Sequence, residues 1–244
     1  MNADGKNDEG RGKGGRVWIP EGFASLLSHD IKNPFNALIG LTDLLEKRFE
    51  EFEDSAKKEL ISNINASSKQ LYRLIENIVW WFKIHTGRIK LQPQEFALND
   101  LFMEALAGLD DVRRDRGVRV ECRLSTVTVS ADFDTLNTAV WNFVSLLLAC
   151  SEAGGRVIIE GSSDENSAAV KGEYSGRNIE IYNGRIEGDN EYGTTVSQEQ
   201  DGIHGLSYYI YRKFIEMNNG ELSNEGEGPQ RCRTGFSLAW NTNT

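Results

Sequence analysis

His29, one of three histidines in the chain, stands in the run Ser28-His29-Asp30-Ile31-Lys32-Asn33-Pro34, beside a carboxylate and one helical turn before an amide. Residues three and four apart share a helix face, so His29, Lys32 and Asn33 project together while Asp30 lies beside the imidazole. A neutral imidazole, with a reference pKa of about 6.5, is a usable nucleophile near neutral pH. If Asp30 accepts the proton of one ring nitrogen, the other keeps a lone pair able to attack phosphorus. Asn33 is then placed to bind a phosphoryl oxygen or position a water, and Lys32 to offset phosphate charge. Pro34 has no N–H, so the Asp30 carbonyl loses its helical partner and a bend is expected there. Together these residues describe a phosphoryl carrier.

The surrounding pattern supplies the helix that such a carrier needs. Phe23, Leu27, Ile31, Leu38, Leu41, Leu45 and Phe49 form one stripe of a long amphipathic helix. The charged stretch Glu50 to Lys58 holds the turn, with Asp54 or Ser55 as cap for the next helix. A second stripe runs Leu60, Ile61, Ile64, Leu71, Leu74, Ile75, Ile78, Trp81 and ends at Gly87, a natural residue just past a helix end. One hairpin of this kind buries its apolar face only partly, and pairing with a second copy into a four-helix bundle completes the core.

Four segments follow from this reading. Residues 1–16 are Gly-rich and charged and read as a disordered tail. Residues 17–90 hold the hairpin, residues 91–98 an extended linker containing Pro93, and residues 99–244 a second unit of mixed pattern. In that unit helices are expected near 100–114, 132–150 and 206–218. Strands are expected near 118–124, 127–129, 156–161, 168–174, 178–182, 221–223 and 234–240. The Gly-, Asn- and Glu-rich stretch 183–202 reads as a long functional loop. The sum is an α+β sandwich with helices on one face of a mixed sheet.

Composition narrows the function classes. Hydrophobic residues make up 39% and charged residues 26%, and the net charge is -10, a balance that argues against nucleic acid or an anionic membrane surface as the partner. Three cysteines (Cys122, Cys150 and Cys232) are widely spaced, with no pair at metal-ligand separation, so no metal site is expected and a reducing compartment is. No apolar run reads as a membrane span and no signal-peptide core is evident, which points to the cytoplasm. His204 reads as a solvent-exposed loop residue and His85 as a favourable charge near a helix C-terminus. Trp80 and Trp81 read as bundle or interdomain packing.

Ser28 to Phe35 resembles the H-box of two-component sensor histidine kinases. The resemblance implies that His29 is phosphorylated, with Asp30 acting as base. It covers nearly all of the chain after the tail. Residues 17–90 are similar to the family's dimerisation and phosphotransfer hairpin, giving a homodimer. The remainder is similar to its ATP-binding domain. Val129-Ser130-Ala131-Asp132 resembles the strand that leads into the N-box helix, and Asn142-Phe143-Val144-Ser145 the first part of that box. The family's magnesium-binding Asn, the Ala after it and a nearby Lys are replaced by Leu146, Leu147 and Ala149. Ile179 to Ile186 aligns with the adenine box, with Asn183 in place of Asp, Gly184 kept and Arg185 near a glycine position. Ile203 to Tyr208 keeps only Gly205 and Leu206 of the last glycine-rich box.

Three functions remain open at this point. In the first, His29 carries phosphate to or from an aspartate of a response-regulator receiver domain. Mg2+ then comes with the receiver, and the chain makes no use of ATP itself. In the second, the chain is an active kinase with a divergent site in which Asn142, Asn183 and Gly205 still hold ATP and magnesium, Gly184 and Leu206 being further candidate residues of that nucleotide site. In the third, it is a silent pseudokinase scaffold that regulates a true kinase or regulator. Retention of Asp30 and Asn33 beside His29 favours the first, because a scaffold needs neither.

Overall fold

The computed structural model describes residues 21–125, 127–164, 167–179, 202–226 and 231–239, with side chains from residue 31 onward except at residues 202, 203 and 226. Helices α1 (Glu21–Arg48) and α2 (Asp54–His85) are joined by a short 3-10 turn at Phe49–Glu51, which overlaps the start of the charged break Glu50 to Lys58; the rest of that break, from Asp54, belongs to α2. They pack along one another, with Ile31, Leu38, Leu41 and Leu45 half-buried on α1 and Leu71, Leu74 and Trp81 buried on α2. Pro34 lies within α1, which continues through it.

The two ends of α2 differ in chemistry. Glu53, rather than Asp54 or Ser55, occupies the N-cap and makes no side-chain capping bond. Asp54 instead enters the first turn, where a negative charge favours the helix dipole. At the other end Gly87 adopts a φ of 60°. Its N–H reaches the Ile84 carbonyl at 3.1 Å, and that of Arg88 reaches the Lys83 carbonyl at 3.1 Å. Those two bonds close the helix as a left-handed glycine allows.

The segment expected as a linker is part of the second domain. Strand β1 (Pro93–Ala97) pairs antiparallel with β3 (Thr128–Asp132), Pro93 opposite Asp132. Helix α3 (Leu98–Gly108) begins directly after it and α4 (Asp110–Asp115) follows, so the single helix expected near 100–114 is broken at Leu109. A Cβ on Gly108 would run into the Trp141 ring, so α3 ends in close approach to that indole.

Strands β2 (Arg119–Arg123), β4 (Arg156–Ser163), β5 (Ser167–Tyr174), β6 (Gly220–Gly226) and β7 (Cys232–Ala239) form one sheet in the order β2-β4-β5-β7-β6. The β2–β4 pair is parallel and the other neighbours are antiparallel, as the mixed-sheet reading requires. Helices α5 (Phe133–Cys150) and α6 (Gly202–Met217) pack on each other and on the sheet. Their shared core includes Phe143, Tyr211, Phe214 and Phe236. The strand expected at 178–182 falls, beyond Ile179, outside the described residues.

Helix α5 is long and apolar enough to cross a membrane by length and composition, but 61% of it is buried inside the protein. Its apolarity is that of a core helix. Among the described residues no other helix meets the same test.

Candidate functional site

The carrier motif sits in the third and fourth turns of α1. His29 and Asp30 lie within that helix, and their side chains are outside the described residues. The turn that follows them is amphipathic. Lys32 and Asn33 are exposed, Pro34 is buried, and Ile31 packs against the core shared with the second domain. Helix α1 also touches α6. The polar edge at Lys32 and Asn33 therefore faces solvent, while the apolar edge is taken by protein.

Of the residues aligned with the nucleotide boxes, Asn183 and Gly184 lie outside the described residues. Asn142, Gly205 and Leu206 come together, but under a cover. Asn142 is 4% exposed on α5, and its amide exchanges hydrogen bonds with that of Asn77 on α2. The Asn77 Nδ2 donates to Asn142 Oδ1 at 3.1 Å, and the Asn142 Nδ2 donates to Asn77 Oδ1 at 3.1 Å. Asn77 Nδ2 also lies 3.2 Å from the Ser207 hydroxyl oxygen on α6, which accepts from it. Three helices thus meet at one buried polar knot. Gly205 and Leu206 lie on the same helix as Ser207 and are buried with it.

An aromatic stack continues the contact toward the end of α2. Trp81 is enclosed, His85 stacks on it with ring centroids 4.0 Å apart, and Tyr209 of α6 stacks with the imidazole at 5.7 Å. His85 thus belongs to the interdomain contact as well as to the helix end. Its Nδ1 lies 2.9 Å from the Trp81 carbonyl. His204, expected in a loop, is half-buried within α6, because that helix begins four residues earlier, at Gly202, than the apolar pattern indicates.

Magnesium is held by oxygen ligands, and the described part of the box offers few. Leu146 is fully buried and has no oxygen to give. Asn142 has already committed both ends of its amide to Asn77. Among the described residues no group of three or more His, Cys, Asp or Glu side chains is arranged to hold a metal.

Reading along the sequence missed Asn77 and Ser207. Asn77 carries a visible signal all the same. It stands three residues after Leu74 and four before Trp81, a polar residue at an apolar register position of the stripe.

Residues 21–86 match the His Kinase A (phospho-acceptor) domain. An uncharacterized sensor-like histidine kinase of Rhizobium meliloti (strain 1021) is 24% identical over 84% of this chain and 41% of its own length. The cell-division control histidine kinase PdhS of Brucella anthropi is 26% identical over 61% of this chain and 14% of its own. The chain thus spans less than half the length of these curated relatives. Among solved structures, the Acinetobacter baumannii histidine kinase AdeS aligns with a TM-score of 0.58 at 15% identity, over 88% of this chain and 98% of that one. The histidine kinase ThkA, in complex with the response regulator protein TrrA, aligns with a TM-score of 0.54 at 20% identity over 90% of this chain and 61% of that one. At these identities the structural likeness establishes the fold: two long helices followed by an α+β domain of the histidine kinase ATPase type.

Proposed function

Because the chain belongs to the two-component sensor histidine kinase family, we propose that it is a cytoplasmic phosphotransfer protein whose His29 exchanges a phosphoryl group with an aspartate of a response-regulator receiver domain. The observation that carries this reading is the occupation of Asn142. The N-box amide is spent on Asn77, while the phospho-acceptor run Ser28 to Pro34 keeps every group that transfer needs.

Transfer from the receiver is a substitution at phosphorus. The free imidazole nitrogen of His29 forms the N–P bond, the acyl phosphate P–O bond breaks, and the receiver's aspartate leaves as a carboxylate. Asp30 holds the proton on the other ring nitrogen and stabilises the cationic ring that forms. Asn33 and Lys32, both at the surface, would meet the phosphoryl oxygens as the receiver docks. A magnesium ion brought by the receiver supplies charge neutralisation at the phosphoryl oxygens. The reverse transfer follows the same path.

The homodimer belongs to the same reading. Tyr72, Ile75, Val79 and Phe82 form an exposed apolar stripe on α2, and Phe35 and Ile39 on α1 are exposed as well. Such a patch on a soluble surface marks an interface, and a second hairpin would cover it as a four-helix bundle.

The test uses a receiver domain phosphorylated with a radioactive label and mixed with the protein. Label should move to the wild-type chain and not to His29→Gln. Labelled ATP with magnesium and no receiver should leave the protein unlabelled. Labelling by ATP that His29→Gln abolishes would establish the active kinase instead. Partner binding without any transfer, unchanged in His29→Ala, would establish the scaffold.

A further inference from the structure

Helix α2 carries a second stripe that phosphotransfer does not use. Lys69, Arg73, Asn77, Trp80 and Ile84 recur at spacings of three and four, so they lie along one face. Each meets the second domain. Lys69 Nζ is 3.6 Å from an Asp111 carboxylate oxygen on α4. The Arg73 guanidinium lies 3.7 Å above the Trp141 ring on α5, the ring to which Gly108 gives way. Asn77 binds Asn142 and Ser207. Trp80 meets Phe214 of α6 edge-on at 5.1 Å, and Ile84 packs against the same core.

We propose that this stripe seats the second domain on the hairpin in one fixed orientation, with Asn142 serving as the positioning residue of the seat and not as a nucleotide ligand. Apolar contact alone would allow α2 to slide along α5 and α6. The amide knot does not allow it, because a shift of one turn would leave buried donors and acceptors unpaired. A single buried polar pair sets register between helices in this way. Arg73 over Trp141 adds a second directional contact on the same face. The inference goes beyond the phosphotransfer reading: it concerns how the domains sit, and it holds whether or not His29 carries phosphate.

Residual dipolar couplings of backbone amides, measured on the full chain in a weakly aligning medium at pH 8, test the seat. In the wild-type protein one alignment tensor should fit α2 and the five-stranded sheet together, with and without magnesium ATP. In Asn77→Asp with Asn142→Asp, two facing carboxylates lack a donor between them and repel. The sheet should then need its own tensor, with at least a twofold smaller alignment magnitude. Arg73→Glu, an exposed change on α2, should give a smaller reduction. Separate tensors in the wild type, or a change in its single tensor on adding magnesium ATP, would overturn the proposal. So would an unchanged tensor in the double variant while the sheet couplings still fit its structure. If the double variant does not fold, an unchanged tensor in Arg73→Glu overturns it. Both readings rest on the Asn77–Asn142 pair, but the seat is read from domain orientation and transfer from label on His29, so the failure of one is distinguishable from the failure of the other.

Discussion

His85 lies flat on Trp81, one turn after it on α2, with ring centroids 4.0 Å apart and its Nδ1 2.9 Å from the Trp81 carbonyl. A carbonyl only accepts, so Nδ1 is the donor in this contact. The pair depends mostly on the indole, which is fully enclosed. Trp81→Ala should cost about 3–5 kcal/mol of stability through lost burial and the cavity left behind. His85→Ala should cost about 1 kcal/mol, the scale of one stacked contact. Urea unfolding followed by circular dichroism gives both values.

Asp132 joins two elements. One carboxylate oxygen accepts from the Thr135 backbone N–H at 3.0 Å and from its hydroxyl at 2.8 Å, capping α5, and the other accepts from the Gln92 N–H at 2.8 Å. Burial pushes this carboxyl up, but the bonds from Gln92 and Thr135 to the charged form outweigh it and hold the pKa below its usual value. A lowered folded pKa adds stability above the unfolded value of about 3.9. That contribution is lost as the pH falls through the folded value. Asp132→Ala should therefore cost about 1–2 kcal/mol at pH 7. The difference from wild type should narrow in acid, as urea midpoints at pH 7 and below pH 3 would record.

Gly87 ends α2 with a φ of 60° and open space where a Cβ would stand. Gly87→Ala therefore meets no clash, and its cost is that of a left-handed backbone alone, about 1–2 kcal/mol. Thermal unfolding should show the loss, and Gly87→Asn should recover part of it because Asn tolerates that conformation better.

The exposed stripe on α2 makes its own prediction. Ile75→Glu with Val79→Glu places charges where a second hairpin would pack, removing apolar burial of about 1.5–3 kcal/mol per side chain. Light scattering after size exclusion should show a monomer with an unchanged sheet signature in circular dichroism. A persistent dimer would place the interface elsewhere.

The hairpin was legible because its signals are local: apolar stripes of helical period, a charged turn and Gly87. The start of α5 was legible for the same reason, since Asp132 caps the helix within its own turn. The connector was not, because Pro93–Ala97 becomes a strand only through pairing with Thr128–Asp132, which short-range pattern does not reveal. Asn142 shows the same limit at the site. Its spacing within the N-box points to a nucleotide, while the side chain it binds lies 65 positions earlier in the chain. Residues such as Asn77 and Ser207 acquire their roles only when helices from distant parts of the sequence meet.

The pairing of β1 with β3 also sets a leash. Gly87 closes α2, the Gln92 N–H is fastened to Asp132, and β1 begins at Pro93, so only Arg88, Ile89, Lys90 and Leu91 connect the two bodies. Four residues reach at most about 14 Å when fully extended. Even if the seat were opened by substitution, the second domain would stay within that radius of the end of α2. Its return would then be an intramolecular event, at an effective concentration in the millimolar range. Weak contacts suffice to hold a domain on so short a tether, and protein concentration has no influence on how often it is docked.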